Sequence, residues 1–364
     1  MELITKWSEL NLKDELLRGI YSYGFEEPSP IQGKSILPIT SGKDIIAQAQ
    51  SGTGKTGAFS ISMLQRIDEH KKEPQGLIMA PTRELALQIH KVVENLGRFL
   101  NISCKLLIGG NSIDQNISDL ESMPHILIGT PGRVHDLIRR KKLNSKTIKM
   151  LVLDEADDML STGFKDQIYS IFQHLSNDIQ IVLFSATLPT DILQLTSKFM
   201  RDPINILVKK DSVTLEGIKQ YYVAIDDDHQ KYETLKDLYA SISVSQCIIY
   251  CNSIKRVKDL YEALIKDEFP VSQIHSEMDK SERESSYQEF ISGGSRVLIS
   301  TNLTARGIDV QQVSTVINFD LPKDIHTYIH RIGRSGRWGR KGLGINLVTR
   351  RDIRNMKEIE SYYE

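Results

Sequence analysis

The chain has 364 residues, of which 40% are hydrophobic and 26% are charged, so it is long enough for about two globular domains. Its 46 Lys and Arg residues nearly balance its 47 Asp and Glu residues. This balance excludes a protein that binds polyanions through one broad basic face, and any nucleic-acid site must be a local groove. The first residues lack a signal-peptide core, and no apolar run reaches the roughly 18 residues of a membrane span. The composition predicts an intracellular protein without a membrane segment.

Short apolar runs alternate with helical patterns in the first half of the chain. The runs predict buried strands at residues 44–47, 76–80, 125–128, 150–153 and 180–184. Between them, apolar residues recur at helical spacing from residue 83 to residue 100. Such alternation predicts a parallel sheet covered by helices on both faces.

The alternation stops in a polar stretch near residue 208 and then resumes. Strands are predicted at residues 246–250, 296–300 and 315–319, and helices at 254–266 and 324–334. Cys247 and Cys251 lie in an apolar run and are predicted to be buried, reduced thiols. The pattern predicts two α/β domains, residues 1–207 and 218–364, joined by a linker over 208–217.

A glycine-rich loop between the strand at 44–47 and a helical pattern predicts a nucleotide site. Residues 49–56 read Ala-Gln-Ser-Gly-Thr-Gly-Lys-Thr, which is a phosphate loop with Ala49 in place of its first glycine. Backbone N–H groups of such a loop wrap a phosphate chain. Lys55 is expected to reach the β- and γ-phosphates, and the Thr56 hydroxyl to hold Mg²⁺.

Two carboxylates directly follow the strand at 150–153. Asp154 at a strand end suits Mg²⁺ coordination, and Glu155 beside it suits orienting or deprotonating an attacking water. The alternative for this stretch is an acidic loop that caps the start of a helix.

A run of basic residues near the end of the chain forms a second candidate for phosphate chemistry. Arg331, Arg334 and Arg337 recur at every third residue, and we expect them to project from one side of a helix and its end. Arginine offers a planar fork to phosphate oxygens and can stabilise charge on a transferred γ-phosphoryl group. Because the phosphate loop lies in the other domain, ATP hydrolysis is expected to require both domains.

Weaker patterns indicate base and backbone contacts. Gln32 could pair with the adenine edge and Phe25 could stack on the ring, although a turn before a helix explains this stretch equally well. Loops at 81–85, 109–110 and 130–133 could supply N–H groups, hydroxyls and a guanidinium to a phosphate backbone. No aromatic stripe for base stacking is present, so sequence-specific readout is not indicated.

Together these motifs resemble the DEAD-box RNA helicases of superfamily 2. The resemblance rests on Gln32 and on residues 49–56, 81–85, 130–133, 154–157, 185–187 and 330–337. Residues 202–210 and 215–220 resemble the initiation-factor-4A branch, which includes a relative in the exon-junction complex. The resemblance implies two tandem RecA-like domains, each a mostly parallel sheet with helices on both faces.

The resemblance also implies a role for individual residues. ATP would be bound by Phe25, Gln32, Ser51, Gly52, Thr53, Gly54, Lys55, Thr56 and Asp309. Thr56 and Asp154 would hold Mg²⁺, while the catalytic groups would be Lys55, Glu155 and the two arginine fingers Arg334 and Arg337. RNA would be gripped by Thr82, Arg83, Gly110, Thr130, Gly132, Arg133, Arg283 and Thr301. Asp157, Ser185, Thr187 and His330 would couple hydrolysis to RNA.

Several positions depart from the family pattern. Trp7 stands where an upstream Phe is usual, and Ser276-Glu277 replaces Gly-Asp. Lys280 replaces a Gln, and Asn302 replaces an Asp that is common in this branch. None of these positions belongs to the expected catalytic set, whereas Lys280 and Asn302 affect expected RNA contacts of the second domain.

The function implied is that of a monomeric ATP-dependent RNA helicase that closes on ATP and RNA, unwinds short duplexes and releases on hydrolysis. Expected partners are single-stranded or short duplex RNA, bound without sequence preference, and a MIF4G-type scaffold or other activator. Cytoplasmic location is favoured over nuclear. The alternatives are an ATP-locked RNA clamp with little turnover and a DNA translocase of the same superfamily, and the sequence does not separate the helicase from the clamp.

Overall fold

All strands in the described part of the chain pair in parallel with their neighbours. The computed structural model describes residues 3–49, 53–110, 112–161, 163–207, 218–241, 246–302, 313–335 and 342–363. These residues form two units, one before and one after residues 208–217, and each unit is built on its own sheet. The linker predicted at 208–217 lies outside the described residues.

The first unit contains a seven-stranded sheet in the order β3-β4-β2-β5-β6-β1-β7. Its strands are β1 Ile45–Gln48, β2 Gly76–Met79, β3 Cys104–Leu107, β4 Ile126–Gly129, β5 Met150–Leu153, β6 Gln180–Ser185 and β7 Ile204–Leu207. Its helices are α1 Asp14–Ser22, α2 Pro30–Thr40, α3 Lys55–Arg66, α4 Arg83–Leu96, α5 Ile113–Glu121, α6 Pro131–Arg139, α7 Ala156–Ser161, α8 Lys165–His174 and α9 Thr190–Phe199.

The first sheet is buried on both faces, which explains its continuous apolar runs. Side chains alternate across each strand, so Leu151 and Val152 of β5 belong to two different hydrophobic clusters. One cluster includes α1, α3 and α4, and the other includes α6, α8 and α9. The predicted arrangement of helices on both faces of a parallel sheet is confirmed in this unit.

The second unit contains a six-stranded sheet in the order β10-β11-β9-β12-β13-β8. Its strands are β8 Ile218–Ile225, β9 Cys247–Tyr250, β10 Val271–Ile274, β11 Val297–Ser300, β12 Thr315–Asn318 and β13 Gly342–Thr349. Its helices are α10 Lys231–Ser241, α11 Ile254–Lys266, α12 Lys280–Ser292, α13 Ile325–Ile332 and α14 Ile353–Tyr363.

The second sheet is also covered on both faces. Ile249 of β9 packs in one hydrophobic cluster and its neighbour Ile248 packs in the other. Cys247 and Cys251 are buried and reduced, as predicted, and burial raises the pKa of both thiols. No helix within the described ranges is both long enough and apolar enough to span a bilayer.

Candidate nucleotide and RNA sites

The strand order of the first unit gathers the predicted phosphate chemistry at one edge of its sheet. Strands β5, β6 and β1 are consecutive neighbours, so their carboxyl ends lie side by side. Lys55 follows β1 as the first residue of α3, Asp154 directly follows β5, and Ser185 ends β6. In an open parallel sheet, ligands bind outside these carboxyl ends.

The phosphate loop ends with a buried ammonium group that has no acceptor among the residues that the structure describes. Gly54 has φ of 99° and precedes α3, a left-handed backbone conformation that favours glycine. Lys55 is only 5% exposed, and its Nζ has no hydrogen-bond partner in the described part of the protein. Since a buried charge is costly unless it is paired, this atom fits an anionic ligand such as a triphosphate. Ser51 and Gly52, which were predicted to share this role, lie outside the described residues.

The acidic pair after β5 is buried and has an unusual backbone conformation. Asp154 is 2% exposed and Glu155 is 4% exposed. The Glu155 N–H donates to Asp154 Oδ1 at 3.0 Å. Glu155 has φ of 51°, a conformation that strains a non-glycine residue by about 1–3 kcal/mol and is frequent at functional sites. Burial raises the pKa of Asp154 to about 7, with Glu155 adding to the rise and Lys55 opposing it.

The oxygen atoms of Thr56 and Asp154 suit Mg²⁺ better than they suit a metal ion whose ligands all come from the protein. The described residues contain no group of three or more His, Cys, Asp or Glu side chains arranged for a metal ion. Thr56 is half-buried at the start of α3, and Asp154 offers a carboxylate at the same sheet edge. Mg²⁺ is commonly bound by one or two such oxygens together with substrate phosphates and water.

Hydrogen bonds join the ends of β5 and β6 through three of the predicted coupling residues. The Thr187 hydroxyl donates to Asp157 Oδ2 at 2.7 Å, and the Thr187 N–H donates to the same oxygen at 3.1 Å. The Asp157 N–H donates to Ser185 Oγ at 3.3 Å, and that hydroxyl donates to the Thr187 carbonyl at 2.6 Å. This buried network connects the loop that carries Glu155 to the loop after β6.

Of the two predicted adenine contacts, Gln32 bonds directly to the phosphate loop and Phe25 lies beside Gly57 of α3. Phe25 is half-buried and its ring stacks with Trp7 at 6.4 Å between centroids, while the Trp7 indole N–H donates to the Phe25 carbonyl at 3.2 Å. Gln32 is 3% exposed. Its Oε1 accepts from the Ser29 N–H at 2.8 Å, and its Nε2 donates to the Gly54 carbonyl at 3.2 Å. The Gln32 amide therefore joins the start of α2 to the phosphate loop.

Five of the six predicted RNA-contact positions of the first unit lie at helix starts, and the sixth, Gly110, lies at a glycine turn. Thr82 is the N-cap of α4, and its hydroxyl accepts from the Leu85 N–H at 3.2 Å. Arg83 begins the same helix and lies against Gly109 and Gly110. Gly110 has φ of 85°, and a Cβ there would collide with the Arg83 guanidinium.

The remaining predicted RNA contacts of the first unit lie at the start of α6. Thr130 is the N-cap of this helix. Gly132 is exposed, and among the described residues the atom nearest to a Cβ built there is a ring carbon of Phe164 at 4.0 Å. Arg133 is half-buried and donates to the Asn116 side chain on α5. Exposed N–H groups, hydroxyls and guanidinium groups of this kind suit a phosphate backbone.

The expectation that Arg331, Arg334 and Arg337 project from one side of a helix is wrong for Arg331. This residue is fully buried and donates to Asn302 at 2.9 Å, to Asn318 at 3.1 Å and to the Asp320 carbonyl at 2.7 Å. It also donates to Asn252 Oδ1 at 2.8 Å. Burial lowers the pKa of Arg331 to about 10, and its guanidinium connects the carboxyl ends of β9, β11 and β12.

The other described site residues that were predicted for the second unit lie on α12, after β11 and at the end of α13. His330 is 1% exposed on α13, and Arg334 is half-buried after the helix end, with its Nε donating to the His330 carbonyl at 3.4 Å. Thr301 follows β11 and Arg283 lies on α12; both are half-buried. Asp309 and Arg337 lie outside the described residues.

The fold and the residues at the first sheet edge define a nucleoside-triphosphate hydrolase. The DEAD/DEAH box helicase family matches residues 29–195, and the helicase conserved C-terminal domain matches residues 230–339. The chain belongs to the DEAD-box helicase family and is an ATP-hydrolysing helicase with tandem RecA-like domains.

Named relatives and solved structures are similar over essentially the whole chain. The chain is 56% identical to "ATP-dependent RNA helicase eIF4A" of Schizosaccharomyces pombe, covering 100% of this chain and 92% of the relative. It is 55% identical to "Eukaryotic initiation factor 4A" of Caenorhabditis elegans, covering 100% and 90%. The structure of S. cerevisiae Dbp5 bound to RNA and ADP BeF3 has a TM-score of 0.91 at 38% identity, covering 98% of this chain and 93% of that one.

Two residues that support these sites through hydrogen bonds, Ser29 and Asn116, were not identified from sequence patterns. Ser29 and Gln32 form a capping box at the start of α2, and the Ser29 hydroxyl also donates to the Thr53 carbonyl at 2.8 Å. The Ser-x-x-Gln spacing is a recognisable signal for this cap. Asn116 carries no comparable signal, since an Asn inside a helical pattern is most often a solvated residue.

Gly57 provides a test of the adenine contacts. A Cβ at this position would lie 2.6 Å from Gln32 Nε2 and 3.0 Å from the Phe25 ring, so Gly57→Ala should displace both groups. We expect ATP affinity to fall by roughly tenfold, or about 1.4 kcal/mol, in a titration with a fluorescent ATP analogue. Gly294→Ala is the control, because the described atoms nearest to a Cβ there are Glu289 Cγ at 3.2 Å and the Glu289 carbonyl oxygen at 3.3 Å, and neither belongs to the predicted nucleotide site. Unchanged ATP affinity in Gly57→Ala would remove Phe25 and Gln32 from the adenine site.

Proposed function

We propose that this protein is an RNA-dependent ATPase whose two units close on ATP and RNA, separate short duplexes locally and release RNA after hydrolysis. The observation that carries the proposal is the buried Lys55 ammonium, which has no acceptor within the described residues and lies at the same sheet edge as Asp154 and Glu155. An ammonium and two carboxylates at adjacent strand ends suit phosphoryl transfer to water.

The residues of the first unit divide this chemistry between them. Lys55 and the loop N–H groups hold the β- and γ-phosphates in the ground state. Thr56 and Asp154 would hold Mg²⁺, which would neutralise charge on the phosphate oxygens. Glu155 orients the attacking water and accepts its proton. The Asp157–Ser185–Thr187 network passes changes at the Glu155 loop to the loop after β6.

RNA is proposed to be held through its phosphate backbone. Thr82, Gly110, Thr130 and Arg133 lie at the starts of helices or at a glycine turn, where backbone N–H groups are available to phosphates. Arg283 and Thr301 are proposed to add contacts from the second unit. The similar Dbp5 structure contains RNA, which supports RNA rather than DNA as the ligand.

We further propose a role in translation initiation, because the relatives at 55–57% identity include proteins named initiation factor 4A. That role places the protein in the cytoplasm, where it would act as a monomer regulated by a MIF4G-type scaffold or another activator. A similar Dbp5 structure contains Gle1, which supports regulation by an activator.

The proposal predicts reciprocal coupling between ATP and RNA. A non-hydrolysable ATP analogue should tighten binding of a single-stranded RNA by at least about tenfold, since grip residues lie on both units and the nucleotide draws these together. RNA must then tighten binding of the analogue by the same factor. Fluorescence anisotropy with labelled RNA measures the first effect, and a DNA strand of the same sequence should compete poorly. Equal RNA affinity with and without the analogue would refute closure on ATP, and efficient competition by DNA would refute RNA selectivity.

A further inference from the structure

Asn116 connects two segments of the proposed RNA site. It lies on α5 and its side chain is fully buried. Its Nδ2 donates to the Leu106 carbonyl on β3 at 2.9 Å, three residues before the turn at Gly109 and Gly110. Its Oδ1 accepts from the Arg133 guanidinium on α6.

The orientation of this amide is determined by its two neighbours. The Leu106 carbonyl can only accept a hydrogen bond and the Arg133 guanidinium can only donate one. The Asn116 nitrogen must therefore face β3, and its oxygen must face α6. The side chain is held in one position by burial, and it fixes the Arg133 guanidinium relative to the turn after β3.

We propose that Asn116 is a positioning residue that sets how strongly the first unit grips an RNA phosphate through Arg133. The inference rests on the proposed RNA-binding function and deepens it. A neutral amide aims the guanidinium without adding a negative charge next to it. A carboxylate at the same place would hold Arg133 in a charge-assisted pair and compete with the phosphate. Residue 116 thereby sets the strength of one backbone contact without touching RNA.

The isosteric variant Asn116→Asp separates charge from shape. It keeps the acceptor that faces Arg133 and adds a negative charge there. It also loses the hydrogen bond to the Leu106 carbonyl, which Asn116→Ala loses as well, so the comparison of the two variants isolates the charge. We expect RNA affinity to fall on the order of three- to tenfold at moderate salt. The slope of log affinity against log salt for single-stranded RNA should become shallower by about 0.7, the value for one phosphate contact. Asn116→Ala should also weaken RNA binding, but the salt slope should not become shallower by about 0.7. In this variant Arg133 keeps its full charge and loses only the hydrogen bond that positions it.

The control adds the same charge elsewhere on the first unit. Asn95 is exposed near the end of α4, and its amide donates to the Lys91 carbonyl. It lies twelve residues after Arg83 on this helix, or about 18 Å along its axis, beyond the screening length of about 8 Å. Asn95→Asp should therefore leave RNA affinity and the salt slope unchanged.

Anisotropy titrations at several salt concentrations distinguish the outcomes, with thermal melts to verify folding. Arg133→Gln should reproduce the loss, and Asn116→Asp should add nothing to it in the double variant. If wild type and Arg133→Gln bind RNA equally, the proposed RNA role of Arg133 fails. If Arg133→Gln is weaker but a folded Asn116→Asp matches wild type in affinity and salt slope, only the role of Asn116 is overturned. An additive loss in the double variant would overturn it as well.

Discussion

Glu155→Gln is expected to abolish ATP turnover while ATP and RNA binding stay close to wild type. The side chain is 4% exposed and follows Asp154 at the end of β5. Glutamine keeps its size and shape but cannot accept the proton of the attacking water, and general-base catalysis is worth about 10²–10⁴ in rate. Phosphate release in the presence of RNA measures turnover. Titration with fluorescent ATP and labelled RNA measures the two affinities.

Glu121→Gln provides the matched control for this prediction. Glu121 is exposed at the end of α5, so the same change of charge there should leave turnover unaffected. Turnover of Glu155→Gln within about threefold of wild type, equivalent to about 0.7 kcal/mol in the barrier, would assign the water to another group. A large loss of ATP affinity would instead give Glu155 a role in binding the nucleotide.

The interior strands of both sheets, apart from β13, could be predicted from sequence because they are buried on both faces. Strand β5 was predicted at residues 150–153 and occupies Met150–Leu153, all of which are buried. The criterion of a continuous apolar run did not identify β3, β7, β8 or β10, each of which lies at the edge of its sheet. In β8, most side chains are exposed. An edge strand lacks neighbours on one side, so its sequence is not required to be apolar throughout.

Strand β13 was not identified for a different reason. It lies between β12 and β8, and seven of its eight residues are buried. Its sequence begins Gly342-Leu343-Gly344, which resembles a turn more than a strand. A Cβ on Gly342 would lie 2.3 Å from the Ser335 carbonyl oxygen. The glycine is required by this close approach of the backbone, which only the folded chain reveals.

The role of a site residue could be predicted from sequence where a single short motif determines it. It could not be predicted where the role depends on how several segments pack together. Lys55 and Asp154 were placed by short patterns that follow strands. Residues three apart on an α-helix are separated by about 300°, or 60° short of a full turn. Two positions at this small angular separation share one face of a continuous helix, but α13 ends at Ile332, between Arg331 and Arg334, so the helical spacing does not apply to this pair. Arg331 points into the core, while Arg334 is half-buried.

Arg334→Ala is expected to reduce RNA-stimulated ATP hydrolysis by about 10³–10⁵, the effect typical of an arginine finger. Arg334 follows α13, and its Nε donates to the His330 carbonyl at 3.4 Å. ATP affinity should fall much less, because the ground-state phosphates are proposed to be held by Lys55 and the phosphate loop. Arg337→Ala should have the same kinetic effect if Arg337 is the second finger. Phosphate release and nucleotide titration on the full chain measure the two quantities.

Arg331→Ala distinguishes a finger from a structural arginine on the same segment. Arg331 is buried and donates to the side chains of Asn252, Asn302 and Asn318. Its removal leaves the buried Asn318 side-chain oxygen without this donor, so the melting temperature of the full chain should fall clearly. Arg334→Ala should melt close to wild type if Arg334 is a finger, since a finger acts on the transition state and not on the folded core. A large loss of thermal stability in Arg334→Ala with hydrolysis preserved would make Arg334 a second structural arginine and would leave γ-phosphate stabilisation to another residue.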